Sequence, residues 1–114
     1  MDAHAFAADW EAGWNSHDLD RILAHYREDM VFRSRKALAL MGDGTLRGKP
    51  ALRAYWRAAL DRQPDLAFRV IDVLEGHGML AITYRNHRDV LACEVFSFDP
   101  DGLVREAAAL HRDP

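Results

Sequence analysis

Apolar side chains return at helical spacing as soon as the chain begins. Phe6, Trp10 and Trp14 stand at i, i+4 and i+8 with Ala3 and Ala7 on the same side, so the spacing predicts an amphipathic helix over residues 3–15. Asp2 is placed to cap it. The polar segment Asn15-Ser16-His17-Asp18 breaks the pattern, and Asp18 then reads as the N-cap of a second helix with Leu19, Ile22, Leu23 and Tyr26 on its apolar face. After Arg27-Glu28-Asp29, the pair Val31-Phe32 predicts a short first strand. Residues 34–47 carry mixed signals ending in Gly42-Asp43-Gly44 and read as a loop with room for a short strand or a turn of helix. Gly48-Lys49-Pro50 opens a third helix whose buried face is Leu52, Tyr55, Trp56, Ala59 and Leu60, and Gln63-Pro64 closes it.

From Leu66 onward the period drops to near two, which predicts strands at about 66–75, 79–86, 90–98 and 103–111. Short polar separators, such as Gly76-His77-Gly78 and Asp99-Pro100-Asp101-Gly102, imply an antiparallel meander. Helices first and strands afterwards make an α+β layer fold with helices on one face of the sheet. With no repeat or linker in 114 residues, the chain reads as a single domain over 1–114.

Pairing Phe98 with Leu103 across the last turn sets Glu94 opposite Ala107, Ala92 opposite Ala109 and Val90 opposite His111 on one face. That face of the last strand, Leu103, Arg105, Ala107, Ala109 and His111, has small residues at its middle, and small side chains leave space. Opposite it stand the rings of Trp10, Trp14, Tyr55 and Trp56, with Tyr84 and Phe96 contributed by the strands. Aromatic walls around a few polar groups describe a pocket for a small apolar ligand, while the same rings at helical spacing also describe an ordinary core. Glu94 interrupts the apolar run from Val90 to Phe96 on the inward parity. Buried there, its carboxyl is driven toward the neutral form and suits acid or base work; a register slip of one residue turns it to solvent instead. His111, on the same face, can exchange protons near neutral pH. Val73, Cys93, Val95 and Leu110 fall on the other face and offer an apolar outer surface to a partner.

Composition narrows the function classes. Apolar residues make up 49% and charged ones 29%, the balance of a folding globular chain. Fifteen Lys and Arg against 18 Asp and Glu give a net charge of -3 without a basic block, which argues against nucleic acid as a partner. The first residues lack a basic, then apolar, secretory pattern and no run is long enough for a membrane span, so a cytoplasmic location without a membrane partner is expected. Cys93, the single cysteine, sits in an apolar run and reads as a packed thiol. The histidines lack metal-ligand spacing, and the nucleotide, dinucleotide and serine-hydrolase loops are missing, so no cofactor is implied.

Four segments in order, Trp14-Asn15-Ser16-His17-Asp18-Leu19, His25 to Phe32, Leu46-Arg47-Gly48-Lys49-Pro50-Ala51-Leu52 and Val95 to Val104, resemble the SnoaL-like polyketide cyclases within the nuclear transport factor 2-like superfamily. The resemblance implies a curved antiparallel sheet wrapped into a cone around three helices, and a homodimer formed through the outer sheet face. Against the ketosteroid isomerases of that superfamily, Glu94 falls where the neutral carboxylic acid of the oxyanion hole stands. Trp10 and Trp56 replace pocket tyrosines, and Arg33 or Ser34 aligns with the general-base aspartate.

Three functions stay open from sequence. One is a small-ligand-binding protein. Another is an isomerase, cyclase or dehydratase that uses Glu94, assisted by His111, on an apolar carbonyl-type substrate. The third is a non-catalytic dimerisation or scaffold module.

Overall fold

In the computed structural model, which describes residues 1–113, Asp2 accepts the Ala5 N–H at 3.0 Å and starts α1 (Ala3–Ser16). Asp18 accepts from the N–H groups of Asp20 and Arg21 and starts α2 (Leu19–Leu23). The chain continues through β1 (Tyr26–Ser34), α3 (Arg35–Met41), β2 (Thr45–Arg47), α4 (Lys49–Arg62), β3 (Phe68–Gly76), β4 (Met79–Asn86), β5 (Leu91–Phe98) and β6 (Val104–His111). One six-stranded sheet results, in the order β2-β1-β6-β5-β4-β3. The meander β3 to β6 is antiparallel as expected, whereas β1 runs parallel to β6.

Three expectations change. Tyr26 belongs to β1 rather than α2, and β1 is a nine-residue strand, not a Val31-Phe32 pair. Exposed Glu28 and Asp29 hide its period-two signal, although Met30, Phe32 and Ser34 are buried at alternate positions. The supposed loop 34–47 holds α3 and β2, so the helices number four among the described residues. Ser34 starts α3 by accepting from Lys36 N at 3.1 Å and Ala37 N at 3.3 Å.

The register of β5 against β6 also differs. Glu94 pairs with Ala109, Ala92 with His111 and Phe96 with Ala107, because Phe98 pairs with Val104 in place of Leu103 and Arg105 adds a bulge before the Ser97–Glu106 pair. The slip from the expected register is two residues, so Ala107, Ala109 and His111 keep their inward face. Leu103 and Arg105 lose theirs: both are exposed, and Val104 is buried in their stead. A bulge at Ile71 in β3 similarly sets Val73 beside buried Ile82 and against the core, contrary to its expected outward position.

The Asn15-Ser16-His17 segment turns out to fasten α1 to the sheet. Asn15 pairs with Phe68 as a strand residue would, its Oδ1 accepting from Phe68 N at 2.7 Å and its Nδ2 donating to Phe68 O at 3.0 Å. Glu11 accepts from Val70 N, and the His17 ring donates to Leu66 O at 2.7 Å. Side chains thus satisfy backbone groups along the edge strand β3, which would otherwise offer a free edge to another chain.

Rings fill the space between helices and sheet. Trp10 stacks on Phe68 with centroids 5.4 Å apart and meets Tyr84 edge-on at 5.0 Å, while Trp14 meets Trp56 edge-on at 4.9 Å. No helix among the described residues is long and apolar enough to cross a membrane.

Candidate functional site

One inward row crosses five strands: Val73, Ile82, Glu94, Ala109 and Ser34. The next inward row on the meander is Val70, Tyr84, Ala92 and His111. Alanine at 92 and 109 leaves room beside Glu94, and a cavity of about 80 Å³ occupies it. Trp14, Tyr55, Trp56, Tyr84, Glu94, Ala109 and His111 line this cavity, as do Phe32 and Lys36, which the sequence pattern had not singled out. Trp10, Phe96 and Ala107 lie outside the lining. They pack in the closed core, where Phe96 and Trp10 are almost fully buried and Ala107 sits in the row Leu80, Phe96, Ala107, Phe32.

Glu94 is 4% exposed. Burial pushes its carboxyl up to about 8, and the nearby Trp10 indole and the Tyr26 hydroxyl only partly oppose this. Tyr26 donates to Glu94 Oε2 over a long 3.4 Å, whereas the Trp10 N–H faces the carboxyl without reaching hydrogen-bond geometry and has no other partner. Weak support of this kind leaves burial in control, which favours the neutral carboxylic acid, a form that can donate a hydrogen bond.

The surrounding hydroxyls stay protonated. Burial raises Tyr26 and Tyr84 well above 10, with the Glu94 charge adding to both shifts, and burial raises Tyr55 as well. His111 goes the other way: burial lowers it to about 4, and Lys36 and Arg35 further disfavour its cation while Asp113 opposes them. Neutral His111 therefore lines the cavity with an Nδ1 that is buried and unpartnered. Glu94 and His111 are diagonal neighbours on adjacent strands, with a backbone spacing of roughly 7–8 Å, and both line the cavity.

Ser34, at the end of β1, is buried in the Glu94 row but spends its oxygen on the α3 cap. No carboxylate stands at that position. Among the described residues, no cluster of His, Cys, Asp or Glu is placed to hold a metal ion.

A six-stranded curved sheet covered on its inner face by helices, with a cavity between them, is the α+β class of nuclear transport factor 2-like and cystatin-like proteins. The SnoaL-like domain model matches residues 7–107, and the chain belongs to that family. A SnoaL-like protein of unknown function from Burkholderia thailandensis is 42% identical, with a TM-score of 0.93 over 97% of this chain and 94% of that one. A protein of unknown function with a cystatin-like fold from Methylobium petroleophilum is 19% identical, with a TM-score of 0.77 over 98% and 76% of the two chains. TerC, co-crystallised with polyporic acid, is 12% identical, with a TM-score of 0.79 over 96% and 90%. No curated protein matches the sequence.

Proposed function

We propose that this chain binds a small, largely apolar molecule through a carbonyl-type oxygen that accepts a hydrogen bond from the neutral carboxyl of Glu94. The observation that carries the reading is a buried carboxyl, which burial drives toward its protonated form, on the wall of an aromatic-lined cavity. The space of about 80 Å³ is roughly half of the 150 Å³ void that takes up benzene, so a small ring fits with part of it in the mouth.

Binding of this kind readily becomes catalysis. A carboxyl with a pKa near the working pH can exchange its proton with a carbonyl compound as general acid or base, and the free His111 Nδ1 can assist by hydrogen-bonding to the substrate. That pair supports an isomerase, cyclase or dehydratase acting on an apolar carbonyl compound.

Calorimetry at pH 7 with cyclopentanone and the hydrocarbon methylenecyclopentane tests the hydrogen bond. The ketone is expected to bind roughly fivefold more tightly, the worth of one hydrogen bond. Above pH 8 Glu94 ionises and loses its proton, so the preference should disappear in the wild type and persist in Glu94→Gln, whose amide still donates. Equal affinity for ketone and hydrocarbon at pH 7 would sink the proposal.

A second reading concerns the outer sheet face, where Leu74, Met79 and Leu110 are 56%, 46% and 54% exposed around half-buried Cys93 and Val95. This apolar surface suits a second copy of the chain. Sedimentation at micromolar concentration should give a dimer that Leu74→Asp converts to monomer; a monomeric wild type rules the homodimer out.

A further inference from the structure

Lys36 is the one lysine on the cavity wall, set there by the Ser34 cap of α3. Its Nζ lies 2.7 Å from Asp113 Oδ2, and the neighbouring Arg35 donates from Nη2 to the carbonyls of both His111, at 3.1 Å, and Asp113. Two cationic side chains of α3 therefore clasp the segment that follows β6. The clasp is imperfect. Asp113 Oδ1 is buried without a partner, as is Nδ1 of His111, and the Lys36 and Asp113 side chains remain 37% and 33% exposed. Partly solvated pairs are weak, and an unmade hydrogen bond on the buried oxygen weakens this one further.

The interior beyond Lys36 is hostile to negative charge. Glu94 is itself driven neutral there by burial, so an anionic group has one favourable seat, on Lys36 at the edge of the cavity. An incoming carboxylate can replace the Asp113 carboxylate at equal charge, leaving the apolar body to enter among the rings.

Resting on the small-ligand reading above, we propose that the ligand class is a small apolar monocarboxylate, whose carboxylate sits on Lys36 in place of Asp113, and that Asp113 is a built-in competitor for that seat. A weakly held internal group that fills the seat about three-quarters of the time weakens apparent affinity about fourfold. The role differs from that of Glu94, which faces a neutral oxygen deeper in the cavity.

Calorimetry at pH 7 and low salt with cyclopentanecarboxylate and the isosteric cyclopentanecarboxamide separates the possibilities. Asp113→Asn is expected to tighten carboxylate binding by about fourfold and to leave the carboxamide within about twofold. Lys36→Met should abolish any preference for the carboxylate. Both positions are a third or more exposed, so both variants should melt close to the wild type. Carboxylate affinity that ignores both substitutions overturns the proposal. Binding of carboxamide but not of carboxylate removes the anionic class and leaves the small-ligand reading standing, whereas binding of neither probe to any variant removes both.

Discussion

Between pH 6.5 and 8 the folded protein is expected to lose about 2 kcal/mol of stability, and Glu94→Gln is expected to abolish most of that loss. Glu94 has an ordinary value of 4.5 and a folded value of about 8, so across that interval the native state holds a proton that the unfolded chain has released. Stability from this group is therefore fully present below pH 4.5 and falls as pH rises to about 8, by about 5 kcal/mol over the whole range. His111 has the opposite sign in acid. Its folded value of about 4 lies below the ordinary 6.5, so the unfolded chain binds the extra proton and stability rises with pH between those values. The two groups oppose each other below pH 6.5, and only Glu94 acts above it. Urea unfolding at half-unit steps from pH 6.5 to 8.5 checks this; a flat wild-type curve would show that Glu94 is not a buried acid.

Leucine at two alanines of β6 should give contrary results. Ala107 is 4% exposed and stands between Phe96 and Phe32, each buried to within 2%, so Ala107→Leu forces three carbons into a full core and should cost about 1–3 kcal/mol. Ala109 lines the cavity beside Glu94, and there the added carbons have space. Ala109→Leu should change stability by less than about 1 kcal/mol and abolish detectable binding of cyclopentanone. Urea unfolding and calorimetry on the two variants measure both halves. If Ala109→Leu binds the ketone as well as the wild type does, the cavity is not the ligand site.

Much of this was legible along the chain because it depends on neighbours in sequence. Asp2 and Asp18 cap the helices they were expected to cap, α1 and α4 bury the faces that their apolar spacing marked, and the meander β3 to β6 falls close to its expected limits. Glu94 faces inward, one of the two orientations that its place in the apolar run left open. The four segments that resemble SnoaL-like proteins signalled the family, and one has a physical reason. Asn15 and His17 occur where they do because their side chains complete the backbone of an edge strand some fifty residues away.

Other features have no local signal. Tyr26 satisfies a helical spacing after Leu19, Ile22 and Leu23, yet it lies in β1 because that strand closes against β6, and so it reaches Glu94. Alternation at Met30, Phe32 and Ser34 was the available clue, obscured by the exposed residues before it. The site was read as one aromatic wall, but the structure divides it: Trp10, Phe96 and Ala107 become core, while Lys36 and Phe32 join the cavity. Sequence alone determined the helix caps and the periods of α1, α4 and the meander strands, since each follows from contacts within a few residues. Tertiary structure decided the bulge at Arg105, the parallel closure of β1 on β6 and the meeting of Lys36 with Asp113, because those depend on how distant segments fit together in space.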